Sequence, residues 1–142
     1  MRLLARLFPR VPAADTPPHL ALGERGEQLA AKFLRRRSYK ILVRRYHTRR
    51  GEIDLVCRDG QTLVFVEVKT RTSEELGQPS EAVTTEKQRR LSRVALDYLR
   101  DIGNPAIQFR FDIVEVTMAD PRHAADVRLI PNAFDLSVPY YY

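Results

Sequence analysis

A chain of 142 residues with 44% hydrophobic content is long enough for one domain with a real core and too apolar for wholesale disorder. Lys and Arg number 24 against 18 Asp and Glu, a formal charge of +6 that points to a polyanionic partner unless the excess serves only solubility. Cys57 is the single cysteine, which excludes an internal disulfide and suits a reducing cytoplasm. No apolar run reaches the length of a membrane span, and His19, His47 and His123 are too scattered for a zinc pattern.

Residues 1–19 are expected to form a flexible leader. MRLLARLF is a poor secretory signal, because Arg6 breaks its apolar run and no small-residue cleavage site follows, and PRVPAADTPPH is rich in proline. The domain is expected to start near Leu20 and run to 135, with 136–142 as a tail.

Leu22 to Arg37 reads as a helix, with Leu22, Leu29, Ala30, Phe33 and Leu34 in one stripe at helical spacing. Glu27 falls along the edge of that stripe, whereas Glu24 aligns with Gln28, Ala31 and Arg35 on the polar side. A carboxylate facing inward calls for a partner, which a functional site or an ordinary ion pair would equally supply. Tyr39 to Tyr46 reads as the first strand, and His47 to Gly51 as a basic connection. Arg44, Arg45, Arg49 and Arg50 concentrate charge ahead of the next strand. Such a cluster suits phosphate contacts and also suits a solvated edge.

Gly51 to Thr70, GEIDLVCRDGQTLVFVEVKT, reads as two strands joined by a tight turn at Asp59-Gly60. With those two residues as the turn, Asp54 lies opposite Phe65 and Glu52 opposite Glu67. Alternation then puts Glu52, Asp54, Phe65, Glu67 and Lys69 on one face. The run from Leu63 to Val68 is apolar apart from Glu67, the pattern of a central strand buried on both faces. Charges there are expensive unless paired or metal-bound. A divalent ion fits between Asp54 and Glu67 as diagonal cross-strand neighbours; a Glu67–Lys69 salt bridge on a solvated face is the plainer alternative.

TRTSEELGQPSE after Lys69 has the composition of a loop positioned to contact substrate. Glu86 to Asp101 reads as a second helix, burying Leu91, Val94, Ala95, Tyr98 and Leu99 and carrying Lys87, Arg89, Arg90 and Arg93 toward its N-terminal half. Thr85-x-x-Gln88 fits a capping box, and Gly103-Asn104-Pro105 ends the helix. Ile107 to Thr117 reads as a strand with Phe109, Phe111, Ile113 and Glu115 on one face and Arg110 with Asp112 on the other, as a supporting pair. Val127 to Ile130 is a further short strand, and Asn132-Ala133-Phe134 docks an apolar side chain on the core. Tyr140 to Tyr142 offers rings for stacking on bases or a frayed end.

An Asp on one strand followed by Glu-x-Lys on the next resembles the PD-(D/E)xK nuclease superfamily. GERGEQLAAKFL (Gly23–Leu34), RRGEIDLV (Arg49–Val56), VFVEVKTR (Val64–Arg71), AVTTEKQRRL (Ala82–Leu91) and RFDIVEV (Arg110–Val116) together resemble the bacterial YraN-like family, related in fold to archaeal Holliday-junction resolvases. The resemblance implies a restriction-endonuclease-like α/β sandwich, a mixed central sheet flanked by helices in the order α-β-β-β-α-β, which agrees with the order of elements above. It implies a Mg²⁺ or Mn²⁺ site at Asp54 and Glu67 with the Val68 carbonyl, joined by Glu27. Lys69 would orient water or stabilise the transition state, and Gln88 would assist if it does not cap. Ile53 stands where the superfamily has Pro before the Asp. The expected activity is hydrolysis of phosphodiester bonds in DNA, branched DNA or RNA included. Arg44, Arg45, Arg49, Arg50, Lys87, Arg89 and Arg90 would track phosphates. The alternatives are a non-cleaving nucleic-acid-binding module and a protein-interaction module in DNA metabolism. A homodimer is an option the resolvase likeness raises, since those relatives work as two-fold dimers.

Overall fold

The computed structural model describes residues 18–72, 83–118 and 122–137, with side chains from Leu22 onward. Most of the expected leader and loop, and the tyrosines at 140–142, lie outside the described residues. The elements are α1 (Pro18–Arg36), β1 (Lys40–Thr48), β2 (Gly51–Asp59), β3 (Thr62–Thr72), α2 (Thr85–Asp101), β4 (Phe109–Met118) and β5 (Asp126–Phe134). Helix α1 begins two residues before the expected domain start, at a proline that an initial helical turn tolerates because its missing N–H would be unpaired there anyway.

The strands form one mixed sheet in the order β1-β2-β3-β4-β5. All neighbours are antiparallel except β3 and β4, which are parallel. A parallel neighbour requires a crossover connection, and α2 lies in it. Each helix covers one face. Ala30, Ala31 and Leu34 of α1 pack with Leu55, Cys57, Val64, Val66, Val114 and Val116. Leu91, Val94, Ala95, Tyr98 and Leu99 of α2 pack with Val43, Tyr46, Ile53, Val56, Leu63, Phe65, Phe111 and Ile113. β3 is therefore buried from both sides, as its apolar run implies. Ala31 is buried rather than on the polar side, because it is small enough to sit against the sheet at the margin of the stripe.

Two details differ from the sequence reading. The N-cap of α2 is Thr84, whose hydroxyl accepts from the Lys87 N–H at 3.1 Å. The Gln88 amide donates instead to the Val83 carbonyl at 2.9 Å. The cap is thus one residue earlier than the Thr85-based box, and Gln88 has a structural bond. β5 extends to Phe134, which stacks on Phe111 with centroids 4.7 Å apart. Asp112, fully buried, holds the far side of the sheet. It accepts from Arg110 Nε at 3.0 Å, the Tyr39 hydroxyl at 3.2 Å and the Asn132 N–H at 2.9 Å. A buried carboxylate so satisfied is a structural group. Among the described residues no helix is long and apolar enough to cross a membrane.

Candidate active site

The β2–β3 turn sits one residue later than Asp59-Gly60. Asp59 pairs with Thr62, so the loop is Gly60-Gln61. Gly60 alone of the two takes positive φ, at 58°, the φ signature of a II′ turn rather than I′. Every cross-strand partner therefore moves by two residues. Continued past its last pair, Leu55–Val66, the register brings Asp54 level with Glu67 instead of Phe65.

The ladder stops before that point, although both strands go on. β2 stays paired with β1 as far as Gly51–Thr48, and β3 stays paired with β4 as far as Thr72–Met118. The sheet splits between β2 and β3 beside Asp54. There the Asp54 carboxylate replaces a ladder partner, its Oδ2 accepting from the Val68 N–H at 2.8 Å.

Strict alternation also fails at Asp54. Ile53 and Val56 both face α2, while Leu55 and Cys57 face α1. On the neighbouring strand Val43 and Tyr46 both face α2, and between them Arg45 takes φ 52°. A left-handed residue turns the strand and shifts the alternation by one; for arginine this conformation is uncommon and needs support from its surroundings. The support is on α1: Arg45 Nε donates to Glu27 Oε2 at 2.8 Å, and its guanidinium lies 3.4 Å from Glu24. The ribbon's kink and the helix are thus tied together at the level of the split.

The single face expected for Glu52, Asp54, Phe65, Glu67 and Lys69 is consequently divided. Ligand oxygens of Glu27, Glu52 and Asp54 lie within 4.8 Å of one another, drawn from α1 and β2. Glu67, 8% exposed, has the alternation of Phe65, toward α2, where it pairs with Lys87. Lys69, half-buried, follows two residues on along a regular parallel register with β4 and shares that side. Asp54 stands between both groups. Its pKa is pushed up to about 8, first by burial and next by the charge of Glu67, with Glu27 and Glu52 adding to it and the Val68 N–H opposing. Glu52 was visible in the sequence as a member of the hairpin face, but nothing in its spacing singled it out as part of a cluster with α1.

Glycine at 26 brings α1 this close. A Cβ there would meet Thr70 Oγ1 at 2.0 Å. The helix rests on β3 at that point, which carries the next residue, Glu27, to the split. On the opposite face Arg90 lays its stem over Gly51, its Cγ 2.9 Å from where a Cβ would stand, so the N-terminal half of α2 borders the start of β2.

The basic residues divide by partner. Arg45 is occupied by Glu27 and Glu24, Lys87 by Glu67, and Arg50 lies 3.8 Å from the buried Asp97. Arg90 makes an exposed helical pair with Glu86 at 3.7 Å, a type worth a few tenths of a kcal/mol. Arg44, Arg49 and Arg89 are exposed. Arg45 is therefore a brace for the acidic group more than a phosphate contact.

Hard oxygen donors gathered from α1 and β2 beside the split suit a hard divalent cation. Both causes that resist ionisation of Asp54, lost hydration and neighbouring negative charge, would be relieved by one. These residues therefore fit the Mg²⁺ or Mn²⁺ that the resemblance implies.

A mixed five-stranded sheet with a helix on each face, split beside a group of carboxylates, is an α/β sandwich of the restriction-endonuclease-like kind. The family described as "Uncharacterised protein family UPF0102" matches residues 26–116, a span that contains Glu27, Asp54, Glu67, Lys69 and Lys87. The chain belongs to that family. A UPF0102 protein of Symbiobacterium thermophilum is 51% identical over 113 residues, covering 80% of this chain and 95% of the relative. One of Geobacter metallireducens is 47% identical over 117 residues, covering 82% and 94%.

Proposed function

We propose that the protein is a metal-dependent nuclease-like enzyme of the cytoplasm that hydrolyses phosphodiester bonds in DNA, with RNA and branched DNA among its candidate substrates. The observation that carries this reading is the meeting of Glu27, Glu52 and Asp54 at the split, with Glu67 acting on Asp54 from the other side. Asp54, Glu67 and the Val68 carbonyl would hold Mg²⁺ or Mn²⁺, with Glu27 beside them. When bound, the ion supplies a water of lowered pKa and positive charge against the scissile phosphate. The Val68 N–H orients the Asp54 carboxylate. Arg45 fixes Glu27 and offsets part of the local negative charge. Lys69 offers an ammonium to orient water or to face the charge that develops on the phosphoryl oxygens. Arg44, Arg49 and Arg89 offer sequence-independent contacts to the backbone.

The test is cleavage of linear, flapped, branched and single-stranded substrates with Mg²⁺ or Mn²⁺. Wild type should cut, and Asp54→Ala and Glu67→Ala should each lose metal-dependent turnover while binding substrate as well or better, since one repelling carboxylate is gone. Lys69→Ala should slow turnover and keep the metal, because an ammonium is no ligand. A wild type that binds nucleic acid but cuts none of these substrates overturns the enzyme reading. One observation favours that second outcome: Lys87 already neutralises Glu67, as expected of a non-cleaving nucleic-acid-binding or protein-interaction module in which Glu67 only anchors α2.

A further inference from the structure

The ion pair between Lys87 and Glu67 runs against ordinary helix chemistry. Lys87 lies in the first turn of α2, three residues after the Thr84 cap. A cation at that end faces the positive pole of the helix dipole and is disfavoured there. Its ammonium nonetheless reaches Glu67 Oε1, on a side chain only 9% exposed. That carboxylate is also the neighbouring charge that acts most strongly on Asp54. The Lys87 side chain, by contrast, is 41% exposed, and its long stem lets the ammonium swing outward while the backbone stays in place.

We infer that Lys87 holds the place of the metal ion: it neutralises Glu67 while the ion is away, yields that carboxylate when the ion enters, and then turns to a phosphate of the nucleic acid. The inference rests on the metal-centre reading above. A buried carboxylate needs a positive partner in both states. Two cations competing for one carboxylate repel each other, so entry of the ion expels the ammonium. The exchange makes Lys87 a positioning residue. It spares the acidic group an uncompensated charge without metal, and it adds a phosphate contact only once the site is charged. Metal and nucleic acid would therefore help each other bind, as reciprocal linkage demands.

The test compares wild type, Lys87→Gln and Lys87→Arg. Calorimetric titration with Mn²⁺ at pH 8 should show Lys87→Gln binding the ion on the order of tenfold more tightly than wild type, because its competitor is gone. Lys87→Arg keeps the charge and should bind it about as weakly as wild type. Affinity for a branched DNA duplex is then measured against salt, with and without Ca²⁺, which stands in for Mg²⁺ to suppress turnover. With Ca²⁺ the salt slope of Lys87→Gln should be shallower than that of wild type by about one; without it the two slopes should agree. A wild type that takes up no Mn²⁺ overturns the metal-centre reading itself. A wild type that takes up Mn²⁺ no more weakly than Lys87→Gln overturns the placeholder alone, as does a slope difference that persists without metal. Should Lys87→Gln fail to fold, Lys87→Arg carries the same comparison: lost Mn²⁺ competition in a variant that keeps the charge would overturn the inference.

Discussion

The carboxyl of Asp54 is pushed up to about 8 from an ordinary 3.8, first by burial and then by Glu67. A raised carboxyl pKa means that the folded state keeps its proton where the unfolded chain has lost it. Stability from this group is therefore unaffected below about pH 4, falls as pH rises toward 8, and levels off above. Asp54→Asn lacks that penalty and can still accept the Val68 N–H. Its melting temperature should match wild type near pH 4 and exceed it increasingly up to pH 8. Saturating Mg²⁺ should shrink the gap, since the ion stabilises only the ionised carboxylate. A gap independent of pH would show that Asp54 is not desolvated among carboxylates. Asp112 is the contrasting case: deeply buried yet partnered by Arg110, the Tyr39 hydroxyl and the Asn132 N–H, none of them in the acidic group. Removing its partner with Arg110→Ala leaves a buried charge unpaired and should cost about 3 kcal/mol in denaturant unfolding, with Mn²⁺ uptake by the folded fraction unchanged.

At the scale of the elements, the seating of α1 on β3 decides whether Glu27 belongs to the site. Gly26→Ala would place a Cβ 2.0 Å from Thr70 Oγ1 and 3.2 Å from Thr70 Cβ. Threonine is branched at Cβ and has little freedom to move aside. The helix must lift, at a cost of about 1–3 kcal/mol against a gain of up to about 1 kcal/mol in helix propensity. The midpoint of urea unfolding should fall, and Thr70→Ala in the same chain should restore much of it, giving a non-additive double-mutant cycle. The lifted helix should also weaken Mn²⁺ uptake, because Glu27 moves with it. Additive effects of the two substitutions would mean that the contact does not seat the helix.

Across the whole molecule, the split sheet has a helix packed on each face and exposed arginines from β1, from the connection after it and from α2. A nucleic acid held by such a rim should bind with steep salt dependence, through counterion release and with little regard to sequence. Arg49→Ala with Arg89→Ala should lower affinity alike across sequences and reduce the salt slope by about two. These two are better targets than Arg45, whose loss would unpair Glu27, or Arg50, which lies 3.8 Å from the buried Asp97. Binding undetectable at low salt would favour a protein-interaction role instead.

Much of this architecture was legible in the residues. The apolar run of β3 marks a central strand, the helical stripes mark both helices, and Asp54 with Glu67-x-Lys69 marks the acidic strands, because local spacing and burial pattern carry those signals. Three features were decided only in the folded chain. The turn moved to Gly60-Gln61, since a two-residue slip keeps every side chain on its face and so leaves the hydrophobic pattern unable to choose between registers. The alternation broke at Arg45 and Asp54, since a single left-handed residue leaves no periodic trace. Glu52 joined Glu27, and Lys87 reached Glu67, because pairings between elements far apart in sequence follow from where helices dock on the sheet. Residue order thus determined the elements and the chemical kinds of group present; tertiary packing determined which charges meet, since that depends on distances the local pattern does not contain.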